Sequence, residues 1–332
     1  MRDSFAGFRM NRSDLLNAAA IILALAGSVA GVAWLRRPPP MVTVAAPTAV
    51  TTLRWATLAD GSRALPDARG VLVPARDYRR IASLSLASDL LLVELLPHGR
   101  HLAASAFSFG RANWRLEGLP RLDGLKDIER LIALKPDLVV ATVFAGEEAQ
   151  AARLREAGIM VWDLGPMRGR ATLERTAIEF AALIGQEDLG RRWAASFARR
   201  MDSVASALPA GTKRKRAVWL MPIMDKLYGG TKGTSYHDVL TSAGLIDAAA
   251  ERYRDWPDYA PEHLIALDPD VLVVASDKAA VLRRMPGLAG LRAVRDPNGI
   301  IEIPSDLADV PGPPMLEAAE ELFSRVYGRT TP

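Results

Sequence analysis

Two periods of apolar and polar residues alternate along most of this chain. Short apolar runs, rich in β-branched residues or alanine, recur at Arg80–Ser85, 101–106, Leu138–Ala141, 159–164, Ala217–Met221, Val271–Ala275 and 300–303. Their length and flanks predict buried strands. Between them, 87–96, 147–157, Tyr236–Ala243 and 277–284 carry helical spacing, and Gly158 and Gly244 close two of these stretches. Strand therefore follows helix through two halves of the chain, which predicts an α/β protein with two doubly wound, Rossmann-like lobes. Residues 187–208 break the alternation. Leu189, Trp193, Phe197, Met201, Val204 and Leu208 recur every three or four residues, with Arg and Asp on the other faces. That spacing predicts one amphipathic backbone helix of roughly 33 Å joining the lobes. A ligand cleft is expected between them, at the carboxyl ends of the strands.

A repeat supports two related lobes. Residues 129–137 read Glu-Arg-Leu-Ile-Ala-Leu-Lys-Pro-Asp and residues 262–270 read Glu-His-Leu-Ile-Ala-Leu-Asp-Pro-Asp, seven of nine identical at an offset of 133 (262 minus 129). Each copy predicts a short helix stopped by proline and followed by a buried strand. Two copies so far apart point to duplicated domains rather than a solenoid.

The amino terminus is of another kind. Residues 15–35 form a 21-residue apolar run whose one strongly polar member is Asn17, with Arg9 and Arg12 before it and Arg36 and Arg37 after it. A bilayer core needs roughly 20 such residues. Ser28-Val29-Ala30 would equally suit a cleavage site behind a shorter apolar region. Residues 1–36 are thus a signal peptide or an N-terminal membrane anchor, and 37–52 a flexible Pro/Ala/Thr tether. The expected boundaries beyond are an N-terminal lobe over 53–170, an interlobe helical segment over 171–210 and a C-terminal lobe over 211–332. The destination is the periplasm or the extracytoplasmic face of the cytoplasmic membrane, with the inner membrane as a partner through 15–35.

Composition narrows the chemistry. The 332 residues are 49% hydrophobic and 24% charged, which is globular. A net charge of +4, from 42 basic and 38 acidic residues, is too small and scattered for a nucleic-acid footprint. Cysteine is absent, which excludes disulfides, thiolate chemistry and an acylated cysteine anchor, and only four histidines argue against an all-histidine metal site. No resident metal or cofactor is expected. No G-x-S-x-G elbow, P-loop, H-E-x-x-H or strand-following G-x-G-x-x-G occurs, so an enzyme is not expected.

Over roughly residues 60–328 the chain resembles the helical-backbone class of solute receptors for ABC importers, those for cobalamin, ferric siderophores or haem. The resemblance rests on RIASLS (80–85), DIERLIALKPDLVVA (127–141), GGTKGTSYHDVLTSAGL (229–245), WPDYAPEHLIALDPDVLVVA (256–275) and the segments 288–304 and 311–323. It implies an ABC permease and its ATPase subunits as partners, and cobalamin, a ferric siderophore or haem as ligand. Two departures stand out. Leu86, Asp89 and Leu90 replace the family's Pro and Glu after the first strand, and Gly312-Pro313-Pro314 lacks its closing Arg.

The same resemblance assigns Phe107, Tyr228 and Trp256 to loops lining the ligand pocket; Trp114, Met224 and Tyr259 are further pocket candidates, and ordinary packing is the alternative role for each of the six. Asp123 and Thr142 stand where two further aromatics would be expected. Glu129 and Glu262, equivalent in the repeat, become the permease-docking carboxylates; complementing a helix dipole is the alternative role for each. His98 and His101 fall in a short solvated connection, His237 in a helix start with a structural role, and Lys213–Arg216 form a solvated basic run. The main alternatives are an enzyme built on the same frame and a membrane-anchored sensor that keeps the receptor fold.

Overall fold

A computed structural model describes residues 52–97, 99–108, 113–308 and 311–328. The expected leader, all but the last residue of the tether, and His98 lie outside them. Among the described residues no helix is long and apolar enough to cross a membrane.

The described chain opens with a small antiparallel sheet that the apolar periodicity does not announce, β1 (Ala56–Thr57), β2 (Arg63–Pro66) and β3 (Leu72–Pro74). The first lobe follows as β4 (Ile81–Ser83), α1 (Leu86–Leu95), β5 (His101–Ser105), β6 (Arg121–Leu122), α2 (Ile128–Leu134), β7 (Leu138–Ala141), α3 (Glu148–Glu156) and β8 (Met160–Asp163). Its five strands are parallel, in the order β6-β5-β4-β7-β8. Two helices come next, α4 (Arg170–Leu183) and α5 (Glu187–Ser206). The second lobe runs β9 (Arg216–Ile223), β10 (Lys226–Gly230), α6 (Ser235–Ser242), β11 (Ile246–Asp247), β12 (Asp258–Tyr259), α7 (Pro261–Leu267), β13 (Val271–Ala275), α8 (Ala279–Arg284), α9 (Arg292–Arg295), β14 (Ile300–Ile303), α10 (Ser305–Ala308) and α11 (Met315–Tyr327). Its sheet has the order β12-β10-β9-β13-β14, with β11 parallel to the start of β9; β10 and β12 are antiparallel to their neighbours. The expected α/β class with two lobes of largely parallel sheet is what the chain forms.

The repeat has a physical reason. Both of its helices end with a non-glycine residue in the left-handed region, Lys135 (φ 51°) and Asp268 (φ 42°), followed by proline. The next aspartate then fastens the neighbouring strand: Asp137 accepts from the Arg79 and Arg80 N–H groups at 2.8 and 3.0 Å, and Asp270 from Arg216 N–H at 2.8 Å. Arg80 and Arg216 in turn donate to the last helix carbonyls, Leu134 and Leu267. The Arg216 N–H and the nearby Arg292 guanidinium hold the Asp270 carboxyl below its ordinary range, although burial works the other way.

α5 spans 20 residues and follows its predicted stripe, with Phe197, Met201 and Val204 buried. Gly190 lets it lie close on α4, since a Cβ there would come within 2.8 Å of the Ala177 carbonyl. α5 touches the first lobe where Trp193 Nε1 meets Glu94 (3.4 Å), and the second where Arg200 pairs with Glu320 (3.5 Å). One apolar cluster runs across both sheets, from Val140 and Trp162 through Phe180 and Phe197 to Trp219, Val273 and Phe323. Separate clusters cover the opposite faces of the two sheets.

Candidate functional site

In parallel sheets, ligands gather where strands end at their carboxyl side. The segment leaving β8 carries the chain from one lobe to the other at that edge. Arg168 Nη1 reaches Asp255 Oδ1 at 2.5 Å, and the Arg170 N–H donates to Asp238 Oδ2 at 2.7 Å. Burial raises the Asp238 carboxyl above its ordinary range, against the pull of that N–H. Arg170 also grips Glu174 (2.7 Å) and Asp202 (2.5 Å), which holds the Asp202 carboxyl low.

Trp256 sits beside this junction, next to Asp255, and is 40% exposed. It is the outer rung of a ring ladder. Buried Trp219 stacks on Tyr236 with centroids 4.7 Å apart, and Tyr236 meets Trp256 edge-on at 5.0 Å. Such pairs stabilise ring positions by about 0.5–1.5 kcal/mol beyond area burial. Gly230 makes room, because a Cβ there would stand 2.8 Å from Thr234 Oγ1 and 3.0 Å from the Trp256 ring. Tyr228, expected in a turn, instead lies on β10, paired with Met221 and Asp258. The turn sits earlier, at Met224, whose φ of 53° reverses the chain, so Gly229-Gly230 falls within the strand. Strand alternation puts Tyr228 and Gly230 on one face, the face of Trp219 and Trp256.

Tyr259 is on the other face. It is 4% exposed, packs edge-on against Tyr253 at 5.3 Å, and its hydroxyl has no hydrogen-bond partner. Burial pushes that phenol far up. With Met224, Leu227, Pro261, Val281 and Met285 it lines a hollow of about 510 Å³ within the second lobe. Met224, 76% exposed, forms its rim. The structure thus groups Tyr228 with Trp256, and Tyr259 with Met224, on opposite faces of one sheet. Trp114 belongs to the short turn Asn113–Leu116, and its side chain lies outside the described residues.

Phe107 stands on the first lobe just past β5, 63% exposed. A buried carboxylate holds its loop. Asp89, 0% exposed, accepts from Ser105 N–H at 3.0 Å and from the Ser108 hydroxyl, while Phe107 N–H donates to Ser105 Oγ at 3.1 Å. Ser83 Oγ donates to the other Asp89 oxygen and lies 2.7 Å from His101 Nε2. His101 therefore belongs to a strand, not a solvated loop: it is the first residue of β5 and contacts a buried polar cluster. The three residue types are those of a hydrolytic triad in the wrong order. One ring nitrogen, His101 Nε2, faces both Ser83 Oγ (2.7 Å) and Asp89 Oδ1 (3.5 Å), so the carboxylate cannot orient the imidazole through its other nitrogen while it takes the serine proton. His237 Nδ1 contacts Asp247 Oδ2 on β11 at 2.8 Å. Among the described residues no three His, Asp or Glu gather to hold a metal ion.

Several surface residues escaped the sequence reading. Phe144, just past β7, is 64% exposed. It was legible as an aromatic at a carboxyl strand end, two residues beyond Thr142. Ile132 and Ile265 are 41% and 51% exposed on α2 and α7. Glu129 and Glu262 are both exposed in the first turns of those helices.

A family model described as periplasmic binding protein matches residues 117–307. The vitamin B12-binding protein of Salmonella typhi is 27% identical over 248 residues, 73% of this chain and 88% of its own. The ABC transporter substrate-binding lipoprotein YvrC of Bacillus subtilis strain 168 is 25% identical over 214 residues, 61% of this chain and 66% of its own. Among solved structures, the periplasmic heme-binding protein RhuT of Roseiflexus sp. RS-1 superposes with a TM-score of 0.64 at 23% identity, covering 76% of this chain and 98% of that one.

Proposed function

The chain belongs to the periplasmic binding protein family, a family of binders rather than enzymes, and we propose that it is the extracytoplasmic solute receptor of an ABC importer. Its ligand is a large metal chelate, cobalamin first, with haem or a ferric siderophore as the other members of the class. The observation that carries this reading is the ring ladder Trp219–Tyr236–Trp256, which delivers a rigid indole to the surface at the lobe junction with Tyr228 on the same face. A flat, preformed aromatic wall suits a macrocycle, because little ordering cost remains at binding. Phe107 and Phe144, on the facing lobe, complete the wall across the cleft. The vitamin B12-binding relative supports cobalamin, and the heme-binding neighbour shares the fold.

Glu129 and Glu262 dock the permease, one per lobe, through paired contacts with its basic side chains, which fix register as well as attraction. The segment 15–35 exports the chain or anchors it outside the cytoplasm. Titration of the purified protein with cyanocobalamin, haemin and ferrichrome, followed by absorbance and tryptophan fluorescence, tests the ligand class; saturable binding of one is expected, and binding of none refutes it. The Glu129→Ala, Glu262→Ala double variant should keep that affinity while uptake falls. Wild-type uptake at equal protein level defeats the docking assignment.

A further inference from the structure

We infer that each docking face is amphipathic: beside its carboxylate it presents an isoleucine and an alanine, Ile132–Ala133 on α2 and Ile265–Ala266 on α7, that seat in an apolar socket next to the permease's basic residue. This rests on the docking assignment of Glu129 and Glu262 and adds to it the residues that hold the docked state.

The repeat itself supplies the argument. A single exposed isoleucine on a soluble protein needs no explanation. Here two occur, at equivalent positions of two lobes, 41% and 51% exposed. Each lies three residues after its glutamate and so on the same helix face, with the alanine at the fourth position beside it. β-branched residues are only middling helix formers, so local propensity does not call for isoleucine at an exposed position.

The nine-residue copies also show which of their positions have a local reason for their identity. Leu131 and Leu264 are buried, Pro136 and Pro269 are buried, and Asp137 and Asp270 fasten strands. Packing accounts for their identity. The two positions that differ, Arg130 against His263 and Lys135 against Asp268, are exposed in both copies. Three further exposed positions have not diverged, and they are the glutamate, the isoleucine and the alanine. The two positions that differ follow local partners of their own lobe: His263 accepts from the Ala260 N–H at 3.2 Å and packs against Tyr253, Asp268 pairs with Arg292 at 3.2 Å, and Arg130 pairs with Asp127 at 3.2 Å. The surface that kept its chemistry is one continuous acidic-apolar spot per lobe.

The division of labour between the residues follows from their physics. Exposed carboxylates speed encounter and set register but contribute little dwell time in salt. Apolar area that becomes covered slows release. Two copies of one spot fit a partner with two equivalent sites, each a basic side chain beside an apolar recess.

The test uses the full chain produced in its own host. A photo-crosslinking p-benzoylphenylalanine replaces Ile132 or Ile265 in turn, then the neighbours Arg130 or His263, then Ile246, a control that is 42% exposed on β11. After irradiation in cells, adducts are identified by mass spectrometry. The expected result is an adduct between positions 132 and 265 and one multi-spanning membrane subunit, absent from 246. Purified with that subunit, Ile132→Ser and Ile265→Ser should each weaken docking by roughly tenfold, as loss of an interface anchor does, with unfolding temperature unchanged. Adducts from 130 and 263 but not from 132 and 265 overturn the inference and leave the glutamate assignment standing. No membrane-subunit adduct from any of the four overturns both. Unchanged affinity of both serine variants overturns the inference alone.

Discussion

Replacing Trp256 by alanine separates the scaffold role of this ring from its role at the ligand surface. Trp256 is 40% exposed, so about 60% of its surface is covered, chiefly by Tyr236 and the Gly230 strand. A tryptophan buries roughly 150–250 Å², which puts the covered area at about 120 Å². At about 25 cal/mol per Å² that area is worth roughly 3 kcal/mol, and partial burial in the unfolded chain trims it to about 2. The space left opens to solvent, so no sealed cavity adds to the loss. Calorimetry should therefore show an unfolding temperature lower by roughly 4–8 °C. Ligand contact acts separately, through the exposed 40%. Isothermal titration with whichever of cyanocobalamin, haemin or ferrichrome the wild type binds should show affinity weaker by about 1–3 kcal/mol. Trp256→Phe should recover part of both losses. A lowered unfolding temperature with unchanged affinity refutes the ligand wall. If neither quantity changes, the ladder does not carry the surface.

Other expectations follow from single buried groups and from the junction. Tyr259→Phe removes an unpartnered buried hydroxyl and should raise stability by about 1 kcal/mol, measured by chemical denaturation; a loss above that size would mean the hydroxyl has a partner. Asp238→Asn should flatten a pH dependence. Because burial raises the Asp238 carboxyl in the folded state above its ordinary, unfolded range, its contribution is full below that range and lost as pH rises through the folded one. Wild type should accordingly gain stability on the Asn variant between pH 7 and about 4 in thermal melts, and the opposite trend would refute the assignment. Small-angle scattering with and without ligand should show only a slight fall in radius of gyration, since one apolar cluster spans both lobes. A large fall would indicate a hinge that this packing does not contain.

Strands buried on both faces are the easiest elements to read. Leu138–Ala141 and Val271–Ala275 appear in the structure with the ends their apolar runs suggest, and the stripe from Leu189 to Leu208 became α5 over Glu187–Ser206. The β9–β10 hairpin was hidden by its glycines. Gly229-Gly230 has the composition of a turn, yet both sit in a strand because Trp219, Tyr236 and Tyr259 crowd the space a Cβ would need. The reversal is made instead by Met224, a residue that rarely takes positive φ, and no local propensity marks it. The sequence marks Asp89 as a departure but hides its role as organiser of the Phe107 loop, because its partners come from the ends of two different strands, Ser83 from β4 and Ser105 and Ser108 from β5 and the loop after it. Tyr228 and Tyr259 looked alike as loop aromatics. Only the register of β10 against β9 and β12 assigns them to opposite faces.

The shared core also constrains how recognition can work. Trp162 and Phe180 on one side and Trp219 and Phe323 on the other belong to a single apolar cluster, bridged by α4 and α5. Parting the lobes would expose that cluster at about 25 cal/mol per Å² of apolar surface, a steep cost for a motion of any size. By contrast, the contact nearest Trp256, Arg168–Asp255, is an ion pair of half-exposed groups, worth about 0–1 kcal/mol. Loops at the cleft rim can therefore shift while the lobes hold their spacing. The buried carboxylate under Phe107 and the ring ladder under Trp256 hold these two exposed aromatics in place by different means, one polar and one apolar. If the proposed docking holds, a shared core that fixes the lobe spacing keeps Glu129 and Glu262 at a constant separation, so a partner that reads both carboxylates would measure the frame, and a change at the rim would have to distinguish the loaded state from the empty one.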